Sequence, residues 1–163
     1  MPAADGTPRP ARTVRALRGA VTASADTPAA LHEATVALLE AIVARNALDV
    51  DDLVSAFFTV TPDLTSGFPA TAARTLGWTD VPMLCAQEIP VAGALGRCVR
   101  VLLHVETARA RHELTHVYLG EAAALRPDLA GAPCAADRDA VAARAGGRVS
   151  GAARRARRPR ATR

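Results

Sequence analysis

Two charged residues that lie within apolar stretches are the first candidates for chemistry. Residues 81–107 hold an apolar run that ends at Glu88, a turn that begins at Pro90, and a second apolar run that carries Arg100. A carboxylate or a guanidinium is costly to bury unless it is paired or meets a ligand. We therefore expect Glu88 and Arg100 to pair with each other or to face a charged ligand.

Arg18, Cys85, Tyr118 and Arg126 are further residues that could hold a ligand or react. Arg18 alone is typical of a solvated side chain or a salt bridge at the end of a strand. Cys85 lies in an apolar run with no His or Asp near it in sequence, which favours an inert core side chain over a nucleophile. As a set, cations, one carboxylate and hydrogen-bond donors suit binding of a small polyanion, or a reaction that needs only positioning and charge stabilisation.

Sequence motifs of several common mechanisms are missing. The chain has no GxGxxG motif, no P-loop and no GxSxG motif of a serine hydrolase. Its four histidines lack the spacing of a metal site, and we expect His104 to be a hydrogen-bonded core residue. The sequence therefore predicts neither a nucleotide cradle nor a metal site.

Charge is divided unevenly along the 163 residues. Residues 13–129 hold nine Arg against seven Asp and six Glu, a net charge of −4, whereas residues 130–163 hold nine Arg against two Asp, a net charge of +7. Because the middle segment is mildly acidic and the chain has only five aromatic residues, we do not expect this segment to bind nucleic acid. Residues 1–12 and the Ala-, Gly- and Arg-rich residues 130–163 are predicted to be disordered.

The cysteines and the amino terminus indicate the cellular compartment in which the protein is expected. Cys85, Cys98 and Cys134 are an odd number without a CxxC pair, which favours a reducing compartment over a disulfide framework. The first twenty residues lack the apolar core of a signal peptide, and no apolar run approaches membrane-spanning length. We therefore expect a soluble, cytoplasmic protein without a membrane partner.

Apolar periodicity predicts the elements that must position these residues. A helix is expected from Thr27 or the preceding Asp26, with Pro28 in its first turn, to Asn46, because apolar residues recur there at helical spacing. A short helix is expected to begin at Pro69 and end before Gly77. Alternating or β-branched residues predict strands over residues 14–22, 53–61, 81–88, 97–106 and 116–119.

Residues 121–125 complete the pattern as a last helical segment before Pro127. The order of elements over residues 13–129 is then β-α-β-α-β-β-β-α. This order predicts one α+β domain, in which helices pack on a face of a single mixed sheet.

Several short blocks carry more information than composition: Arg15-Ala-Leu-Arg-Gly-Ala, Thr59-Val-Thr-Pro-Asp-Leu, Phe68-Pro-Ala, Gly77-Trp, Val81-Pro-Met-Leu-Cys-Ala-Gln-Glu, Arg97-Cys-Val-Arg-Val, His116-Val-Tyr-Leu and Leu125-Arg-Pro-Asp-Leu. In this order they resemble the monofunctional chorismate mutases of the AroH type, over residues 13–129. The resemblance implies the α+β fold of that family and a homotrimer, a pseudo-α/β barrel with active sites in clefts between neighbours. It also implies conversion of chorismate to prephenate, the branch step toward phenylalanine and tyrosine, without a cofactor.

The resemblance further implies a role for each candidate residue. Arg100 would meet the negative charge that gathers on the ether oxygen during a concerted [3,3] rearrangement through a chair-like transition state. Arg18 would pair with a substrate carboxylate, Glu88 would accept a hydrogen bond from the ring hydroxyl, and Cys85 would contact the same region. The remaining residues implied to contact the substrate are Phe68, Ala70, Leu84, Ala86, Gln87, Tyr118 and Arg126, the last as part of a closing flap.

Two positions depart from the family pattern. Thr71 stands where some relatives carry Lys, and Thr115 stands where an Arg is common, so we expect activity to survive with a higher KM. Other classes remain possible at this point: a Rid-type trimeric imine deaminase, a non-enzymatic trimeric module that binds an aromatic dicarboxylate, or a nucleic-acid-binding Arg-rich tail.

Overall fold

The structure is a computed structural model that describes residues 11–129. In this range the strands are β1 (Thr13–Thr22), β2 (Leu53–Val60), β3 (Met83–Gln87), β4 (Cys98–Thr107) and β5 (Val117–Leu119). The α-helices are α1 (Pro28–Asn46) and α2 (Pro69–Thr75), and short 3-10 segments cover Val50–Asp52, Arg111–Glu113 and Gly120–Leu125. The expectations of disorder for residues 1–10 and 130–163 lie outside the described residues.

The five strands form one mixed sheet in the order β3-β2-β4-β1-β5. The central strand β4 is antiparallel to both β1 and β2, while β3 runs parallel to β2 and β5 runs parallel to β1. The predicted α+β class with a single mixed sheet is therefore confirmed. In this order β3 and β5 lie at opposite edges of the sheet.

Helix α1 begins and ends as local chemistry dictates. The Thr27 hydroxyl accepts a hydrogen bond from the Ala30 N–H at 3.2 Å, and Pro28 occupies the first turn, where its missing N–H costs nothing. Ala47 closes the helix in the left-handed conformation. The buried face of α1, which packs on the sheet, consists of Leu31, Thr35, Leu38, Leu39, Ile42 and Asn46.

The two faces of the sheet have different surroundings, because successive side chains of a strand point to opposite sides. On the face covered by α1 and α2, Leu17, Phe58 and Leu103 are fully buried in the main core. On the opposite face, here called the open face, most side chains are half-buried or exposed: Ala16, Arg18, Phe57, Thr59, Leu84, Arg100, Leu102 and His104. The segment Gly120–Leu125 covers only one end of this face, where Ala20, Cys98 and Ala122 are buried.

Residues 121–125 differ from the predicted helix, because they belong to the 3-10 segment Gly120–Leu125. A run this short before Pro127 forms too few hydrogen bonds to offset the entropy lost in nucleating an α-helix. The tighter 3-10 helix is common in short connections of this kind. Gly120 has a φ of 59°, and the N–H of Glu121 donates to the Thr22 hydroxyl at 3.2 Å. These contacts fix the segment against the end of β1.

The predicted domain boundary at residue 13 stays a prediction. Arg12, just before it, forms an ion pair with Asp52 and donates to the carbonyl of Glu106. Within residues 11–129, no helix is both long and apolar enough to cross a membrane.

Candidate active site

Strand register places three of the predicted site residues close together on the open face. Arg100 on β4 pairs with Ala20 on β1, and Ala20 also pairs with Tyr118 on β5. Neighbouring strands lie about 4.8 Å apart, so Arg100 and Tyr118 stand roughly 10 Å from each other with only a methyl group between them. Arg18 lies two residues before Ala20 and therefore points to the same side.

Glu88 joins this group from the edge of the sheet. It follows the last residue of β3, and its N–H donates to the Val60 carbonyl at 2.9 Å. One carboxylate oxygen, Oε2, pairs with Nη1 of Arg100, and the other, Oε1, accepts from the Thr59 hydroxyl at 2.6 Å. The pairing of Glu88 with Arg100 that the sequence allowed is therefore present, between side chains that are 15% and 29% exposed.

Arg18 differs from Arg100 in its surroundings. Its residue is exposed, and within the described part of the chain its guanidinium has no salt bridge. Its backbone N–H donates to Nδ1 of His116 at 3.1 Å. An unpaired guanidinium on the same face as Arg100 is available to form two parallel hydrogen bonds with a carboxylate.

His116 lies between two of these arginines. Burial, and then the positive charges of Arg126 and Arg18, lower its pKa below the ordinary value of 6.5. Because Nδ1 accepts the N–H of Arg18, the proton of the neutral ring resides on Nε2. In the sequence His116 was considered as a possible metal ligand and as part of a predicted strand and a family block. Its contact with Arg18 depends on the parallel pairing of β1 and β5.

Tyr118 and Arg126 complete this end of the face. The Tyr118 hydroxyl is buried, and none of the described residues gives it a hydrogen bond of good geometry. Arg126 holds Asp128 through two hydrogen bonds of 2.9 and 2.7 Å, which raise the pKa of Arg126, and Tyr118 contributes in the same direction. A buried hydroxyl that lacks a well-formed hydrogen bond is a group that a bound ligand can satisfy.

The other predicted site residues lie at the β3 edge. Phe68, which is 73% exposed, borders a cavity of about 370 Å³ together with Cys85, Ala86 and Gln87. The Cys85 side chain packs against the main core rather than on the open face, and Ala70 is buried in that core at 6% exposure. Leu84 pairs with Phe57 and is 61% exposed, on the side of Arg100.

The predicted site residues therefore fall into two groups within one chain. The charged group, defined as Arg18, Glu88, Arg100, Tyr118 and Arg126, lies on the open face and extends from the end of β3 to β5 and the segment after it. The apolar group, defined as Phe68, Ala70, Leu84, Cys85, Ala86 and Gln87, lies on or beside β3. Three strand spacings of about 4.8 Å separate β3 from β1, so in a single chain Arg18 and Tyr118 lie far from the apolar group.

The two departures from the family pattern have different positions. Thr71 is exposed and borders a second cavity of about 440 Å³ with His32 and Phe68. Thr115 is 2% exposed, and its N–H and carbonyl are both hydrogen-bonded by the Asn46 amide, at 2.7 and 2.9 Å. Its side chain is thus enclosed, and the higher KM expected from the missing Arg at position 115 stays a prediction.

Thr59 is a further candidate site residue, because its hydroxyl donates to Glu88. In the sequence it appeared only as part of a strand and of a family block, and its contact with Glu88 depends on the registers of β2 with both β3 and β4. Among the described residues, no cluster of three or more His, Cys, Asp or Glu has the arrangement of a metal site.

A mixed α+β sheet with arginines, a carboxylate and a tyrosine on one face is an arrangement that can bind a small anion. Comparison with known proteins defines it further. Residues 14–129 match the family model of chorismate mutase type I, so the chain belongs to the type I chorismate mutase family.

Individual relatives agree with this family. The chain is 49% identical over 117 residues to the chorismate mutase AroH of Thermus thermophilus and 42% identical over 117 residues to that of Bacillus subtilis strain 168. These matches cover 71% of this chain and 96% and 92% of the two relatives. A solved chorismate mutase from Clostridium thermocellum superposes with a TM-score of 0.67 at 43% identity, covering 68% of this chain and 98% of the other.

The chain is accordingly an isomerase that converts chorismate to prephenate in aromatic amino acid biosynthesis. The family predicted from the sequence blocks is confirmed. The imine deaminase and the non-enzymatic binding module are not favoured by any of these relatives.

Proposed function

We propose that the charged group performs the rearrangement of chorismate, and that each active site is completed by the apolar group of a neighbouring subunit in a homotrimer. The observation that carries the proposal is the row Thr59, Arg100, Ala20 and Tyr118 across the open face, with Glu88 held against Arg100. Phe68, Ala70, Leu84, Cys85, Ala86 and Gln87 of the neighbour would then form the opposite wall.

Two observations support a site between subunits. In one chain, Arg18 on β1 and Tyr118 on β5 lie on the other side of the sheet from the apolar group beside β3. The open face also exposes apolar side chains, with Val14 at 54% and Leu84 at 61% exposure beside half-buried Phe57 and Leu102. An apolar sheet face of this kind is stable when another surface covers it.

The chemistry of the substrate fits the charges of the open face. Chorismate carries two carboxylates, a ring hydroxyl and an enol ether. During the rearrangement the ether C–O bond breaks while a C–C bond forms in one cyclic shift of electron pairs, so no proton is transferred. A catalyst can therefore act by holding the flexible ether side chain over the ring and by stabilising charge on the ether oxygen.

Arg100 is the group proposed to meet that oxygen. Its guanidinium has five N–H donors, of which Nη1 is engaged by Glu88 in this structure, so others remain for the ether oxygen. A fixed charged donor at such a point contributes about 3–4 kcal/mol, or ~10²–10³ in rate. This is a third to a half of an acceleration at the low end of enzymatic values, ~8 kcal/mol.

The other charged residues are proposed to bind and orient the substrate. Arg18, which has no salt bridge among the described residues, would bind a carboxylate of the substrate. Glu88 would accept a hydrogen bond from the ring hydroxyl. The Tyr118 hydroxyl would find its missing partner in a carboxylate or near the ether. Arg126, close to Tyr118 at the end of the described chain, would close the site.

The proposal extends to the domain and its compartment. We propose residues 13–129 as the catalytic domain, which is supported by the family match over residues 14–129. Residues 1–12 and 130–163 would be extensions outside it. Cys85 and Cys98 are free thiols, which supports a reducing compartment such as the cytoplasm.

Substitution of Arg100 and Cys85 tests the assignment of roles. Arg100→Ala is expected to lower kcat by at least ~10², because the charge at the ether oxygen is lost. Cys85→Ala is expected to lower turnover by less than about tenfold, because the thiol packs toward the core of its own chain. Chorismate loss and prephenate appearance are followed together, and circular dichroism establishes that both variants fold.

Two outcomes would contradict the proposal. Near-normal turnover by Arg100→Ala would remove the role of the guanidinium. Complete loss of turnover in a folded Cys85→Ala variant would point to covalent catalysis instead. Arg100→Lys serves as the matched control, since it keeps the charge but not the planar fork, and an intermediate rate is expected.

A further inference from the structure

We infer that Thr59 is a positioning residue, which holds the Glu88 carboxylate so that the guanidinium of Arg100 stays available to the substrate; the inference rests on the proposed site. Thr59 donates its hydroxyl to Oε1 of Glu88 at 2.6 Å. Arg100 binds the other oxygen, Oε2. Each carboxylate oxygen is therefore held by a different strand, β2 or β4.

The position of Glu88 explains why such a contact is needed. Glu88 lies just beyond β3, where its backbone is fixed by the hydrogen bond from its N–H to the Val60 carbonyl. No strand pairing fixes the side chain beyond that point. A carboxylate beside an arginine prefers to accept two parallel hydrogen bonds from the fork of the guanidinium. The Thr59 hydroxyl competes for one of the two oxygens.

The location of Thr59 makes this competition effective. It pairs with Arg100 across β2 and β4 and with Ala86 across β2 and β3, so it stands between the guanidinium and the end of β3. A β-branched side chain on a strand has few rotamers, which keeps the hydroxyl in place at a small entropic cost. The hydroxyl thus leaves Arg100 with a single hydrogen bond to Glu88 and with N–H groups free for the ether oxygen.

Thr59→Val removes the hydroxyl while nearly preserving the shape of the side chain. Glu88 is then expected to turn both oxygens toward Arg100, which should lower kcat by about tenfold with little change in KM. Thr59→Ser restores the donor and is expected to recover most of the rate. Ser55→Ala is the matched control, because Ser55 lies on the same strand and face but bonds His104 at 3.0 Å, and its turnover should be unchanged.

A double-mutant cycle with Glu88 separates positioning from structural support. If Thr59 acts through Glu88, then Thr59→Val should have almost no further effect on kcat in the Glu88→Ala background. The steady-state constants and the melting temperature are measured for every variant. A kcat loss at unchanged melting temperature, with recovery by Ser and loss of effect in the Glu88→Ala background, supports the inference.

Other results would overturn it. These are a Thr59→Val turnover within twofold of wild type, a failure of Ser to recover the rate, or losses that simply multiply in the double variant. Arg100→Ala is assayed alongside. If Arg100→Ala is also near normal, the assignment of the site is at fault, whereas a strong Arg100 effect beside a neutral Thr59→Val overturns the role of Thr59 alone.

Discussion

His116 is a neutral side chain that lies near two charged residues, Arg18 and Arg126. Its Nδ1 accepts the backbone N–H of Arg18, while its ring lies near the charges of Arg18 and Arg126. A protonated ring would lose the acceptor and would add a third positive charge to this end of the face. The lowered pKa of His116, which comes first from burial and then from the two arginines, keeps the ring neutral near pH 7.

The stability of the protein is expected to fall as the pH drops below about 6.5, because of this histidine. The unfolded chain takes up a proton on His116 near the ordinary value of 6.5, whereas the folded chain does so only at lower pH. Between these values the unfolded state binds more protons, so the free energy of unfolding decreases with falling pH. Urea denaturation at pH 7.5 and 5.5 measures the difference.

His116→Asn is the comparison variant for this measurement, since its amide oxygen can accept the N–H of Arg18 without titrating. Its free energy of unfolding should depend less on pH between 7.5 and 5.5. An equal pH dependence in both proteins would show that His116 does not cause the effect.

At the residue scale, the charged residues of the proposed site could be predicted from the sequence, whereas the neutral residues that contact them could not. Glu88 and Arg100 could be found because charges within apolar runs require a partner or a ligand, and their ion pair agrees with that expectation. Thr59 and His116 could not be found, because a hydroxyl in a strand and a histidine before one are ordinary. Their contacts depend on strand register, which the sequence does not define.

At the scale of elements, β1 and α1 pack closely at Gly19, where a larger side chain would require its neighbours to shift. A Cβ on Gly19 would lie 2.7 Å from Cδ1 of Ile42, 3.0 Å from Cδ1 of Leu38 and 3.1 Å from the Val117 carbonyl oxygen. The helix and β5 can thus approach β1 closely at this point. The close approach matters for the site because Gly19 lies between Arg18 and Ala20.

Gly19→Ala is therefore expected to destabilise the protein by about 1–3 kcal/mol, since the new methyl group forces Ile42, Leu38 or β5 to move. The free energy of unfolding from chemical denaturation measures this cost. Gly67→Ala is the matched control, because its Cβ would meet Leu31 at an ordinary 3.5 Å, and its effect should be within about 0.5 kcal/mol. Equal stabilities of the two variants would contradict the tight packing.

The type of most elements could be predicted from local chemistry, but their arrangement could not. Helix α1 could be predicted from its cap at Thr27, the proline in its first turn and its apolar periodicity. The structure has the same cap and the same proline. The Gly120–Leu125 segment departs from the prediction because its conformation depends on Thr22 of another element. The strand order is likewise a property of the folded chain, since β4 joins strands that lie far from it in sequence.

At the scale of the whole molecule, the proposed site needs two chains, each of which contributes one group. Every subunit would give its charged group to one cleft and its apolar group to another, as in a head-to-tail contact that closes into a ring. The sequence alone carries no information on which surfaces meet, and only the resemblance to a trimeric family suggested it. Three strand spacings separate β1, which carries Arg18, from β3, which Phe68 borders, and this separation gives a physical reason for the same arrangement.

Mixing two inactive variants tests this arrangement directly. Arg100→Ala removes the charged group of a subunit, and Phe68→Asp places a carboxylate in the apolar group, where it should repel the dianionic substrate. Phe68 is 73% exposed, so its replacement should leave the fold intact. In mixed trimers, a cleft with Arg100 from one chain and Phe68 from its neighbour is intact. In an equal mixture that assembles at random, about a quarter of the clefts are intact in this way. About a quarter of the wild-type turnover should therefore return.

A chain that carries both substitutions, mixed with wild-type chains, provides the control. Each cleft then needs wild-type chains on both sides, which also leaves about a quarter of the clefts intact. The two mixtures should therefore have similar activity, although the first contains no wild-type chain at all. If the first mixture stays as inactive as its parents while native mass spectrometry shows mixed trimers, both groups must act within one chain, and the interfacial site is wrong.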